Sequence, residues 1–155
     1  RVVGNEPFAL LLADDFLTYS GKGITSDLID GYEKTGKTQL SVMEVIGPDI
    51  SKYGVIVSNN KTGLVEGLIE KPDFKKAPSN LASIGRYVLT PDIFDILRNQ
   101  SIGVADEIQL ADSINEQAIN NMVETILLNG KRFDCGSVEG YINAIKYVSH
   151  NYVFD

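Results

Sequence analysis

A chain of 155 residues, 43% of them hydrophobic, can close one sizeable core, so a single unit over 1–155 is expected and disorder is not. The net charge of −7 argues against nucleic acid as a partner, and an acidic protein that handles phosphates needs a divalent cation to offset the repulsion. The single cysteine, Cys135, and the single histidine, His150, exclude an internal disulfide and a Cys/His zinc set, and no apolar run approaches the ~18 residues of a membrane span. Without a basic, apolar leader the chain reads as cytoplasmic, and the sequons at Asn60 and Asn99 then carry no weight. It opens at Arg1 rather than Met, a few residues before a strand, which suggests a piece of something longer.

The first element is the apolar run 8–13, bounded by Glu6-Pro7 and ended by Asp14 and Asp15. A run this short reads as a buried parallel strand. Its acids then lie at the strand's carboxyl end, where open α/β sheets bind ligands, so Asp14 is placed to meet a metal and a phosphate. The competing reading is a solvated loop after a core strand. A polar loop with Gly21, Lys22 and Gly23 follows, then a helix from about Ser26, whose hydroxyl caps it, to a stop at Gly36. Residues 39–46 alternate and are rich in branched side chains, which predicts a strand. Strands over 53–58 and 64–70 flank the turn-rich stretch 59–63 as a hairpin, and 83–89 is another strand. Thr90-Pro91-Asp92 opens a helix with Thr90 as cap and Pro91 at its first position. A second helix runs from Asp106, with Gln109 completing a capping box, to about Asn120, and Ile108, Ala111, Ile114 and Ala118 form its buried stripe. A strand over 123–128 leads through Gly130 to Phe133-Asp134-Cys135-Gly136. The last helix, from Ser137, carries Val138, Tyr141, Ile142, Ile145 and Val148 on one side. This order predicts an α/β fold with a mixed sheet, helices on both faces and a β-hairpin insertion.

Four patterns carry a chemical reading. Residues 31–38 match the P-loop string in full, but a P-loop follows a strand and opens a helix, whereas here the string ends a helix and precedes a strand. Glu70-Lys71-Pro72 puts a carboxylate able to accept sugar hydroxyls beside an ammonium able to hold a phosphate, or else is solvated surface. Asp134, between a strand and a helix, is a helix cap or a ligand. Gly54, after Tyr53, either lets a ligand approach the backbone or merely starts a strand.

Taken together, 8–17, Tyr53-Gly54-Val55-Ile56, Glu70-Lys71-Pro72 with 77–82, Ile84-Gly85-Arg86-Tyr87-Val88-Leu89, 106–112 and Asp134-Cys135-Gly136 resemble, in order, the bacterial UTP-glucose-1-phosphate uridylyltransferases. The resemblance implies a partial Rossmann-like nucleotidyltransferase fold. It makes Asp14 and Asp134 the ligands of Mg2+, brings the backbone of Gly54 to the sugar, has Glu70 accept glucose hydroxyls and has Lys71 bind the sugar phosphate. Asp15 receives no role from it. The implied reaction is in-line attack of glucose-1-phosphate on the α-phosphorus of UTP, giving UDP-glucose and pyrophosphate, with Lys71, Asp14 and Asp134 as the catalytic set. The family's amino-terminal Gly-x-Gly-Thr-Arg loop and downstream lysine have no counterpart here. The chain therefore corresponds to the sugar-phosphate and metal-binding part, expected to be inactive alone, of a parent that is a homo-oligomer. The apolar face of the last helix, with Tyr147, Tyr152 and Phe154, suits either a partner subunit or the chain's own sheet. The alternatives are a sugar-1-phosphate thymidylyltransferase, whose usual Leu-Asp-Thr-Gly ending differs from Phe133-Asp134-Cys135-Gly136, a non-catalytic regulatory or sugar-nucleotide-binding paralogue, and a P-loop nucleotidase.

Overall fold

The computed structural model describes residues 2–59, 64–100 and 108–151. Its centre is strand β3 (Thr38–Glu44), whose first five residues are all buried, as expected of a strand covered on both faces. Beside it runs β6 (Leu81–Leu89), and the main sheet has the order β5-β4-β6-β3-β7, with β4 at Gly54–Ser58, β5 at Val65–Glu70 and β7 at Val123–Leu127. The β3–β7 pair is parallel, and the β3–β6, β4–β5 and β4–β6 pairs are antiparallel.

Helices cover both faces. On one, α2 (Ile93–Asn99) and α3 (Leu110–Ile119) bury Ile93, Ile114 and Ala118 against Leu40, Val42, Ile56, Leu89 and Val123. On the other, α1 (Ile24–Thr35) packs Ile24 and Leu28 against Ile84 and Val88. Val88 and Leu89, adjacent on one strand, point to opposite faces and so join the two core layers. Outside this sheet stands a two-stranded antiparallel ribbon of β2 (Asp15–Tyr19) and β8 (Gly130–Asp134), followed by α4 (Val138–Asn151). Among the described residues no helix is long and apolar enough to cross a membrane.

Several expectations change. The opening strand, β1 (Phe8–Leu11), is neither parallel nor buried: it pairs antiparallel with β6, and Leu11 and Leu12 are 53% and 44% exposed. An apolar run marks a strand but carries no information on its partner's direction. The stretch read as a polar loop after the two acids holds most of β2, whose two apolar residues, Phe16 and Leu17, are adjacent and give no alternating signal. Helix α1 starts at Ile24 with no side-chain cap, so Ser26 lies within it, and Gly36 closes it in the left-handed conformation at φ 68°, donating its N–H to Tyr32 O at 2.7 Å.

Thr90 does not cap α2. Its hydroxyl lies in a buried cluster, accepting from Gln117 Nε2 at 2.7 Å and sharing a hydrogen bond with Thr38. Helix α3 begins at Leu110, and Ile108 is exposed rather than part of its stripe; Asp106, the expected cap, lies outside the described residues, as do the turn residues 60–63 and Tyr152 and Phe154. The P-loop string does not take up a P-loop: residues 31–35 end α1, Thr38 is fully buried and donates to Gln117 Oε1, and Lys37 pairs with Glu124 at 3.3 Å. On α4, Ser137 accepts the N–H of Gly140 at 3.0 Å, but the apolar face is largely open, with Val138, Tyr141, Ile142 and Ile145 all exposed.

Candidate active site

The β2–β8 ribbon sets the site's geometry. Its register places Asp15 opposite Asp134, and the Cys135 N–H donates to Asp14 O at 2.8 Å, extending the ladder by one step. Two acids far apart in sequence are thereby brought to one corner. A Cβ built on Gly136 would lie 3.1 Å from Asp134 Oδ1 and 3.1 Å from Asp14 Oδ2, so the two carboxylates close on the same small space. Asp134 Oδ1 also accepts the Gly136 N–H at 3.1 Å, which orients it. Both acids are exposed, and no third His, Cys, Asp or Glu joins them among the described residues. Two hard oxygen donors closing on one small space suit a hard divalent cation, which keeps water and phosphate oxygens as its other ligands.

Asp15, the sequence neighbour of Asp14, is 3% exposed and fully occupied. Its Oδ2 accepts the Gly85 N–H at 2.6 Å, its Oδ1 accepts from Arg132 Nε at 2.6 Å, and Arg132 Nη2 completes a two-pronged ion pair. A Cβ on Gly85 would lie 2.8 Å from Asp15 Oδ2, so this approach needs glycine. Arg132 also donates from Nη1 to the Tyr53 hydroxyl at 3.2 Å, stands 5.1 Å over the Tyr53 ring and brings Nη2 to 3.8 Å from Asp134 Oδ2. Burial alone would lower the pKa of this guanidinium, but the hydrogen bond and charge of Asp15, helped by Tyr53 and Asp134, hold it above its ordinary value.

Tyr53 leads to the other half of the site. The β4–β5 register puts Gly54 opposite Glu70, and a Cβ at Gly54 would come within 2.9 Å of Glu70 Oε2. Lys71 takes φ 45°, a left-handed conformation uncommon for a residue with a side chain, and its N–H donates to Tyr53 O at 3.0 Å. Its ammonium is 3.7 Å from Glu70 Oε1 with both side chains substantially exposed, a weak pairing that leaves the lysine free to meet an anion. Two adjoining cavities open here. One of about 200 Å³ is walled by Asp15, Tyr53, Gly54, Glu70, Tyr87 and Arg132. The other, of about 420 Å³, is walled by Glu70, Lys71, Tyr87, Leu110 and Ile114 among others. Burial pushes the Tyr87 phenol pKa up, which keeps its hydroxyl protonated, and that hydroxyl accepts from Ser83 at 3.3 Å. The lysine–glutamate end and the two-carboxylate corner are thus joined through Tyr53 and Arg132.

The family model described as nucleotidyl transferase matches residues 1–151. The chain belongs to the nucleotidyl transferase family. It is 43% identical over 150 residues to a UTP--glucose-1-phosphate uridylyltransferase of Pseudomonas aeruginosa, covering 94% of this chain and 54% of that one. A Streptococcus pyogenes protein of the same name is 42% identical over 147 residues, covering 90% of this chain and 48% of the relative. A crystal structure of UDP-glucose pyrophosphorylase complexed with UDP-glucose superposes with a TM-score of 0.89 at 39% identity, covering 97% of this chain and 59% of that one. The chain spans about half the length of the curated relatives it matches.

Of the residues expected from the sequence, Asp14 and Asp134 share the corner beside Gly136, and Gly54, Glu70 and Lys71 line the two cavities. Arg132 and Tyr87 were not among the expected residues. Arg132 had a usable signal, since residues two apart on a strand share a face and it precedes Asp134 by two.

Proposed function

We propose that the whole protein transfers the uridylyl group of UTP to glucose-1-phosphate, releasing pyrophosphate and UDP-glucose, and that this chain supplies its sugar-phosphate and cation-binding part. The relatives' names and the nucleotidyl transferase match support the reaction class. The observation that carries the assignment of residues is the convergence of the Asp14 and Asp134 carboxylates on Gly136, joined to the Glu70–Lys71 doublet through Arg132 and Tyr53.

In this reading Lys71 holds the phosphate of glucose-1-phosphate and Glu70 accepts hydroxyls of the hexose, while the absent side chain at Gly54 leaves room for the ring. The sugar-phosphate oxygen forms a bond to the α-phosphorus of UTP as the bond to pyrophosphate breaks. No side-chain base is required, because the phosphate monoester is already anionic. The strain at Lys71 is of the kind stored where a side chain must be aimed. Asp14 and Asp134 would hold Mg2+, which offsets phosphate charge and orients the nucleotide when bound. The exposed apolar face of α4 supports a homo-oligomer of the whole protein.

The test is turnover of UTP, glucose-1-phosphate and Mg2+ by the whole protein and by its Asp14→Asn and Asp134→Asn variants. Each variant is expected to lose roughly 10²–10³ in kcat. Unchanged magnesium-dependent turnover in both would refute the assignment of the two acids.

A further inference from the structure

Arg132 stands between the two halves of the site, in the wall of the smaller cavity and beside Asp134. Its side chain is 11% exposed, so its charge is poorly screened by water. It also cannot swing away: Asp15 holds Nε at 2.6 Å, the Tyr53 hydroxyl holds Nη1 at 3.2 Å, and the Tyr53 ring lies against the guanidinium plane at 5.1 Å. Asp15 Oδ1 takes both Nε and Nη2, which cancels the charge at long range, and the same Nη2 also reaches Asp134 Oδ2 at 3.8 Å. Asp134 therefore has a fixed cationic neighbour whatever else occupies the corner.

We propose that Arg132 is a positioning residue and built-in counterion for the Asp14–Asp134 corner, so that the corner takes up a divalent cation together with substrate phosphate rather than as the bare ion. This rests on the reading of Asp14 and Asp134 as cation ligands. Two carboxylates without a counterion attract a hydrated divalent ion unaided. With Arg132 beside one of them the attraction for the bare ion falls, and the negative charge of a phosphate restores it. Cation binding and substrate binding are then coupled, each strengthening the other by the same factor.

The test uses Mn2+ as probe, with binding followed by water-proton relaxation on the whole protein. Replacing Arg132 alone strands the buried Asp15 carboxylate, so the informative variant is the charge-balanced pair Asp15→Asn with Arg132→Met, in which the amide oxygen still accepts the Gly85 N–H. That variant is expected to bind Mn2+ alone roughly two- to fivefold more tightly than the parent. A folded double variant, verified by its thermal melt, with equal or weaker Mn2+ affinity overturns the proposal, because a residue serving only the fold would never tighten the site when removed. A second measurement needs no substitution: UDP-glucose is expected to raise the parent's Mn2+ affinity several-fold, and bound UDP-glucose that leaves it unchanged overturns the proposal as well. Asp14→Asn and Asp134→Asn separate the two failures. If either acid can be removed without weakening Mn2+ binding, it is the reading of the ligands that falls.

Discussion

Asp14 and Asp15 are adjacent acids with opposite surroundings. Asp14 is exposed, with its carboxylate turned toward Gly136 and Asp134, whereas Asp15 is 3% exposed and spends its two oxygens on Gly85 and Arg132. Asp14 lies in the turn that precedes β2 and Asp15 is the first residue of the strand, so the two side chains leave the backbone in different surroundings. Asp15 locks the ribbon to β6 through Gly85 and Arg86, whose Nη2 donates to Asp15 O at 3.1 Å. The pair shows that a carboxylate available for chemistry and one serving architecture are distinguished by what lies beneath them. The buried one is the reason the exposed one is held in place.

That contrast is sharpest in stability. Asp15→Leu leaves Arg132 without its buried partner and is expected to cost about 3–5 kcal/mol, whereas Asp14→Asn should stay within about 0.5 kcal/mol of the parent. Urea unfolding of both variants checks this, and equal midpoints would erase the distinction. Gly136→Ala probes the open side alone: its methyl group would sit 3.1 Å from both carboxylates, so Mn2+ affinity is expected to fall roughly tenfold with little change in melting temperature. On the sugar side, Gly54→Ala pushes on Glu70 Oε2 from 2.9 Å, and in the whole protein it should raise KM for glucose-1-phosphate several-fold more than it lowers kcat.

The smallest effect concerns an acid far from either. Burial tends to raise the pKa of Glu124, but hydrogen bonds from Gln39, Thr35 and Lys37 outweigh it and leave it below the ordinary carboxylate value. A pKa lowered by folding contributes stability that is complete above the unfolded value and is lost as pH falls through the folded one. Glu124→Gln should therefore remove at most about 1 kcal/mol at neutral pH and nothing once the carboxylate is protonated in acid, which thermal melts across that range would show.

Much of this site was legible in the sequence because its signals are local. Glu70 and Lys71 are neighbours at a strand end, and Asp14 and Asp134 each follow an apolar or alternating run, so their elements could be read from periodicity and their roles from resemblance. The errors came where local patterns are silent. The Phe8–Leu11 strand was recognisable as a strand, but its antiparallel pairing with β6 was not, and the P-loop string was set aside only because the elements around it ran in the wrong order. Thr90 looked like a cap and instead bonds Gln117 and Thr38, two residues brought to it by α3 and β3.

The amino-acid sequence by itself determined the order and kind of most elements and the α/β class, because side-chain periodicity and turn chemistry act over a few neighbouring residues; the five residues expected at the site came from resemblance to a family. Only the tertiary structure decided that β2 pairs with β8, that Asp14 meets Asp134 while Asp15 is sealed against Arg132, and that Arg132 and Tyr53 join the cation corner to the sugar cavities. Those facts depend on which face of one strand meets which face of another more than a hundred residues away, as the Arg132–Asp15 bond with its sequence separation of 117 illustrates. That pairing is settled by the packing of the whole core and leaves no trace in any short stretch of sequence.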